Sequence, residues 1–295
     1  MPHSATSTLA AIDLGSNSFH MIVARLSEHR LVILDKLNEH VRLAAGLDRD
    51  KHIQPDAWER ATAVLERFGQ RVRDLPHANV RAVGTNTLRK ARNSASFLRE
   101  ASDRLGHDIE IVSGEEEARL VYLGVCHDLE QDDTRRLVVD IGGGSTELIV
   151  GEGYEPLTRD SMQMGCVTFT AKFFPDGLVT AERMARAETA ARLVVRSRER
   201  EYRQLGWKFS LGASGTIRAV DTILRTNRWS ERGITKAGVD KLVEALIEAG
   251  DMGKVHIDGL SAQRAQVLPG GLAVLSCLFE RLDIAEMTAS DGALR

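Results

Sequence analysis

Apolar and polar positions along the chain fall into two runs of the same design. Leu9–Asp13, Ser18–Leu26 and Leu31–Val41 read as three consecutive strands, short aliphatic stretches bounded by Gly, Ser and Asn. A helix Pro55–Asp74 follows, with Pro55 at an early helical position, where its missing N–H costs nothing. Next come a strand Val80–Gly84, a largely helical Thr87–Leu105, a strand Ile109–Val112 and a helix Ser113–Gly124. Three strands then begin again at Leu137, Thr146 and Leu157. After them the pattern predicts a helix Thr180–Leu205, a strand Lys208–Leu211, and a helix opening at Gly212-Ala-Ser-Gly-Thr216. Helices Thr235–Gly250 and Ser261–Leu282 and a last strand Glu286–Ala289 complete it. This order fits an α/β protein of two β-β-β-α-β-α-β-α halves better than one sheet. The polar stretch Glu130-Gln-Asp-Asp-Thr134 is the expected boundary, dividing the chain into 1–128 and 129–295.

The halves also repeat in detail. When Asp13 is set on Asp140, Gly15 falls on Gly142, Ser18 on Ser145, His20 on Glu147, and Met21-Ile22-Val23 on Leu148-Ile149-Val150. Each copy is an apolar strand ending in a carboxylate, a tight turn of small residues, and a second apolar strand. A bound phosphate wants backbone N–H donors close to it, and only small residues let the backbone approach. Gly15, Ser16, Asn17 and Ser18 meet that need, as do Gly142, Gly143, Gly144 and Ser145. A carboxylate beside phosphate is repulsive unless a divalent cation intervenes, so Asp13 and Asp140 imply Mg²⁺ or Mn²⁺, with Glu147 able to join the shell. A dinucleotide-binding turn would have to open a helix, whereas Thr146–Val150 is β-rich. The plainer alternative is a pair of hairpins that use glycine for the turn alone.

Composition narrows the partners. Hydrophobic content of 43% and charged content of 27% suit a soluble globular protein. A net charge of −3 offers no global attraction to nucleic acid or an anionic membrane, so any polyanion site must be a local basic pocket. The three cysteines, Cys126, Cys166 and Cys277, are odd in number and widely spaced, which argues against a disulfide framework or a zinc site and fits a reducing cytoplasm. No secretory signal is evident, and no segment reaches the roughly 18 apolar residues of a membrane span.

Other residues carry chemistry of their own. Ser113 and Glu116 have capping-box spacing, which explains Glu116 structurally. Glu117 shares a helical face with Leu120, Val121 and Gly124, so a carboxylate is expected on the buried face. Burial raises a carboxylate's pKa and strengthens it as a base; the plain alternative is a solvated Glu117 or one paired with a nearby Arg. Gly212–Thr216 follows a strand and opens a helix, which is anion-binding geometry but also an ordinary strand–helix turn. Arg89 could hold phosphate oxygens in bidentate fashion, or sit on a solvated helix face. Cys166 alone reads as a small buried residue.

Taken together the motifs resemble the exopolyphosphatase / guanosine pentaphosphate phosphohydrolase family, within the acetate kinase–Hsp70–actin superfamily. The matching stretches are Ala11-Ile-Asp-Leu-Gly-Ser-Asn-Ser-Phe-His20, Gly84-Thr-Asn-Thr-Leu-Arg89, Ser113-Gly-Glu-Glu-Glu-Ala-Arg-Leu120, Asp140-Ile-Gly-Gly-Gly-Ser-Thr-Glu147, Met164-Gly-Cys-Val167, Gly212-Ala-Ser-Gly-Thr216 and Ser290-Asp-Gly-Ala-Leu-Arg295. The resemblance implies two ribonuclease-H-like (actin-like ATPase) domains with a cleft between them, in a cytoplasmic enzyme. It implies Glu117 as the catalytic base and Asp140 and Glu147 as residues linked to the divalent metal. Asn17, Ser18, Arg89, Gly143, Gly144, Ser145, Cys166, Ser214 and Gly215 fall where the family binds phosphates, with Arg264 a weaker match. The implied reaction is Mg²⁺-dependent hydrolysis of a terminal phosphoanhydride. Its substrate would be inorganic polyphosphate, or alternatively the 5′-triphosphate end of pppGpp. Many relatives continue past Gly-Ala-Leu-Arg, so the sequence is expected to stop short of a helical C-terminal region that helps form a homodimer. A kinase or ATP-driven chaperone of the same superfamily is a rival that Glu117 argues against. A non-catalytic (p)ppGpp or polyphosphate sensor is another, against which stand Glu117, Asp140 and Glu147.

Overall fold

The structure is a computed structural model and describes residues 7–27, 30–127, 129, 132–292 and 294. Glu130 and Gln131 of the expected boundary, and Ala293 and Arg295 of the last motif, lie outside the described residues. The chain forms two compact units, divided between Ser113 and Gly114.

In the first unit the strands are β1 (Ser7–Leu14), β2 (Ser18–Ser27), β3 (Arg30–His40), β4 (Val80–Gly84) and β5 (Ile109–Ile111). Helices α1 (Pro55–Val72), α2 (Asn86–Lys90) and α3 (Ser94–Leu105) accompany them. The sheet order is β3-β2-β1-β4-β5, with β1 antiparallel to β2 and parallel to β4. Ala10, Ile12 and Leu14 alternate inward from β1, as a period-2 strand must, and meet Leu65 and Phe68 of α1 and Phe97 of α3 in one core.

The second unit begins with α4 (Gly114–Cys126), β6 (Arg135–Ile141), β7 (Thr146–Glu152) and β8 (Glu155–Met162). There follow α5 (Cys166–Phe173), α6 (Ala181–Val195), α7 (Glu199–Leu205), β9 (Phe209–Ala213) and α8 (Ser214–Thr226). The last elements are β10 (Ile234–Thr235), α9 (Lys236–Ala249), α10 (Ala262–Ala265), α11 (Leu268–Leu282) and β11 (Glu286–Ala289). Its sheet order is β10-β11-β9-β6-β7-β8. Without the short β10 this is the order of the first sheet, so both halves are ribonuclease-H-like, mixed sheets with flanking helices.

The second sheet is buried on both faces. Leu137, Val139 and Ile141 of β6 enter the larger core with α5, α6, α8 and α11. Val138 of β6 and Ile149 of β7 enter a smaller core on the opposite face, against Ala118, Val121, Tyr122 and Val125 of α4. This double burial is why these strands read as continuous apolar runs. It also places α4 in the second unit, whereas the boundary expected at 128/129 assigned that helix to the first half. Gly151 admits the helix: a Cβ there would stand 2.5 Å from the Tyr122 ring and hydroxyl.

Three predicted helical stretches are each a pair; Thr87–Leu105 divides into α2 and α3 around Ala91. Thr180–Leu205 breaks after Val195 because Arg198 and Tyr202 both reach back to the sheet. Arg198 Nε donates to Asp160 (2.9 Å), and the Tyr202 hydroxyl donates to the Leu148 carbonyl (2.7 Å). Ser261–Leu282 breaks before Leu268, where Pro269 restarts a helix at a position that needs no N–H. Helix α5 has no counterpart among the expected elements.

Candidate active site

The register bears out the repeat. Asp13 faces His20 across β1 and β2, and Asp140 faces Glu147 across β6 and β7. The parallel partners also correspond, β4 beside β1 and β9 beside β6. Each turn is backed by hydrogen bonds to its carbonyls. Behind the first turn, the N–H groups of Ala44 and Arg42 donate to Ser16 O (2.9 Å) and Asn17 O (2.8 Å). Behind the second, Cys166 N–H donates to Gly142 O (2.9 Å), and Val167 and Thr168 N–H to Gly143 O (2.9 and 3.1 Å). A trans peptide points its N–H opposite its C=O, and among the described residues no cis bond occurs. The N–H groups of Asn17 and Ser18, and of Gly143 and Gly144, are therefore turned away from the backing segments. These are the orientations a bound oxyanion needs.

The second turn's backing is close. A Cβ on Gly165 would stand 2.5 Å from the Gly143 carbonyl carbon and from the Gly144 nitrogen, so the residue before α5 must be glycine. Cys166 contributes its N–H to this support. Its thiol is buried, packed near Thr216 and Gly271, and burial pushes its pKa up, so it is a neutral side chain.

Beside this turn three carboxylates gather. Glu147 is 2% exposed and Glu117, in the first turn of α4, is 8% exposed. Burial, then the charge of Glu117, then that of Asp140, hold the Glu147 carboxyl well above its usual pKa. The Ser161 hydroxyl donates to Glu147 Oε1 (2.7 Å), and Ser145 bonds it too; both favour the ionised form. Glu117 is thus on the buried face, as its spacing predicts. Arg119 Nε and Nη2 reach the two oxygens of the neighbouring Glu116 at 2.7 and 2.8 Å.

The start of α8 is strained. Ser214 has φ +92°, a region that a residue with a Cβ avoids, and such strain gathers at functional sites. The Arg264 guanidinium lies over Gly215, where a Cβ would meet Nη2 at 2.0 Å. Burial chiefly, and the charge of Arg218, lower the pKa of Arg264.

In the first unit, Ser18 Oγ and His40 Nδ1 are 2.9 Å apart, Asn17 Nδ2 donates to Ser18 Oγ (3.4 Å), and Thr87 Oγ1 donates to Ser16 Oγ (2.8 Å). Arg89 is partly buried and donates through Nη1 to the Val112 carbonyl (2.9 Å), so it is not on a solvated face. The residues named from the sequence thus form two sets, Asp13, Asn17, Ser18 and Arg89 in one unit and the remainder in the other.

Three participants went unnoticed in the sequence. Ser161 lies on a strand with no motif around it. Gly165 was visible only as part of Met164–Val167. Arg42, exposed at φ +55°, carries no local signal.

The fold and site define a class: an α/β protein of two ribonuclease-H-like halves, with a carboxylate cluster set against a glycine turn in the second. A profile described as the Ppx/GppA phosphatase family matches residues 22–295. A Haemophilus influenzae protein named "Putative exopolyphosphatase" is 43% identical over 287 residues, covering 97% of this chain and 88% of that protein. The Aquifex aeolicus PPX-GPPA enzyme superposes with a TM-score of 0.80 at 25% identity, over 99% of this chain and 98% of that one. An exopolyphosphatase from Cytophaga hutchinsonii shares the fold, with a TM-score of 0.85 at 22% identity over 98% and 95%. The chain belongs to the Ppx/GppA phosphatase family and is a phosphoanhydride hydrolase. Among the described residues no helix is long and apolar enough to cross a membrane.

Proposed function

We propose that the protein is an exopolyphosphatase, which removes the terminal phosphate of inorganic polyphosphate as orthophosphate. The observation that carries this reading is the gathering of Glu117, Asp140 and Glu147 beside a turn whose Gly143 and Gly144 N–H groups face away from their backing helix. The 43% identical relative's name favours polyphosphate over other phosphoanhydrides.

Buried like charges beside a phosphate turn call for a counter-ion, and the residues fit a divalent cation. Among the described residues no group of three His, Cys, Asp or Glu side chains is arranged as a ready-made cage. Mg²⁺ needs none, since it binds through one or two carboxylates plus water and substrate phosphate. Asp140 and Glu147 would hold it; Asp13, in the first unit, faces a histidine instead. When bound, the cation would neutralise charge on the terminal phosphoryl group. Glu117 orients a water and takes its proton as the oxygen bonds to the terminal phosphorus; the bridging P–O bond breaks, and the shortened chain leaves. Ser161 and Ser145 keep Glu147 oriented. The N–H groups of Gly143 and Gly144, with Ser145, the loop Ser214–Gly215 and Arg264, bind phosphate oxygens in the second unit, Cys166 holding the turn from behind. Asn17, Ser18 and Arg89 bind them in the first.

The 5′-triphosphate of pppGpp presents the same terminal group and is the second reading, which the family's double name favours. Orthophosphate release from long-chain polyphosphate and from pppGpp, each with Mg²⁺ and with EDTA, separates them. Mg²⁺-dependent release with the higher kcat/KM on polyphosphate is expected. A higher kcat/KM on pppGpp would reverse the assignment, and binding without release would make the protein a sensor.

A further inference from the structure

A chain of net charge −3 can attract a polyanion only through a local basic surface, and the first unit has one. Lys90 ends α2, next to Arg89. Lys51 belongs to the loop between Leu47 and Ile53, which the fold straps onto the α2–α3 corner. The Arg92 N–H donates to the Lys51 carbonyl (2.9 Å). The Asn93 amide brackets Ile53, accepting from its N–H (2.9 Å) and donating to its carbonyl (3.1 Å). Asp48 closes the loop by accepting from His52 N–H (2.8 Å) and Gln54 Nε2 (2.8 Å). Lys51 itself sits at φ +65°, a conformation glycine would adopt without strain. Among the described residues neither Lys51 nor Lys90 makes an ion pair. Lys90 is partly buried, and burial together with the charges of Lys51 and Arg89 lowers its pKa. Packing alone gives no reason to fix like charges together on a strapped, strained loop; an anion does.

We propose that Lys51 and Lys90 form a subsite for phosphate groups beyond the one cleaved, next to Arg89. This rests on the reading of Arg89 as a phosphate ligand. Both ammonium groups are strongly hydrated point charges on flexible stems, suited to a phosphate chain of varying geometry rather than to one planar group. The subsite therefore adds affinity with each phosphate it reaches and adds nothing for orthophosphate.

The test is equilibrium binding of tripolyphosphate and of orthophosphate in EDTA, to wild type, Lys51→Gln, Lys90→Gln, the double variant and Lys90→Arg. Each glutamine variant is expected to weaken tripolyphosphate about three- to tenfold, with orthophosphate unchanged and Lys90→Arg near wild type. The glutamine variants should melt at or above the wild-type temperature at low salt, since they relieve repulsion; a purely structural lysine would lower it. On turnover, KM for long-chain polyphosphate should rise with kcat within about twofold. Comparing pppGpp with GTP locates the source: loss on pppGpp but not GTP assigns the subsite to the 3′-diphosphate, and loss on polyphosphate alone assigns it to the chain. Unchanged affinity for tripolyphosphate, polyphosphate and pppGpp in the double variant overturns the proposal. Failure of the parent reading is separate: wild type would release no orthophosphate, or Arg89→Ala would bind tripolyphosphate normally.

Discussion

The two hairpins share a backbone and differ in chemistry. In both, carbonyls of the turn are taken up from behind and the next N–H groups point the other way. In the first, the backing is an irregular segment at Arg42–Ala44 and the carboxylate faces His20. In the second, the backing is the start of α5 and the carboxylate faces another, Glu147, with Glu117 nearby. Asp13 has a neighbour that can carry positive charge. Asp140 and Glu147 repel one another in a buried place. A fold can thus keep the backbone of a turn in duplicate while only one copy gathers carboxylates beside it.

The sharpest way to strain this comparison is Glu117→Gln, which keeps shape and removes the carboxylate proposed as the base. Orthophosphate release should fall by about 10²–10⁴-fold while the fold, read by circular dichroism, persists. A loss under tenfold would move the base elsewhere. Gly165→Ala attacks the backing of the second turn alone. The added methyl must displace Gly143 or Gly144, so a loss of about 1–3 kcal/mol in unfolding free energy and a raised KM are expected. An unchanged KM would mean that the turn does not hold phosphate.

Stability in EDTA should depend on pH through the second hairpin. Folded protein retains a proton on Glu147 that the unfolded chain has released above the ordinary glutamate pKa. Stability is therefore complete below that ordinary value and falls as pH rises toward the raised one. Urea titrations across this window should show the fall, and Glu147→Gln should flatten it. The smallest effect is assigned to Cys166→Ala. A neutral buried thiol offers packing, so about 1 kcal/mol of stability should go while KM stays near wild type.

The sequence carried most of the fold because its signals were local. Alternation in β1 and β2, aliphatic runs in β6 and β7, and small-residue turns follow directly from how strands bury their faces. The pairing of Asp13 with His20 and Asp140 with Glu147 was legible because a hairpin's register follows from its turn. What escaped was tertiary. Helix α5 has no capping side chain; carbonyls of Gly142 and Gly143, distant in sequence, satisfy its first N–H groups. The unit boundary escaped because α4 is apolar enough for either half, and its packing on Val138 and Ile149, with Tyr122 against Gly151, decides it. Ser161 escaped because a serine on a strand acquires meaning only when Glu147 is found 2.7 Å away.

Calorimetric titration of Mg²⁺, without substrate, into wild type, Glu147→Gln and Asp13→Asn tests the contrast between the hairpins most directly. The account predicts binding with proton release in wild type, its loss in Glu147→Gln, and its retention in Asp13→Asn. Binding that survives Glu147→Gln, or disappears with Asp13→Asn, would contradict it.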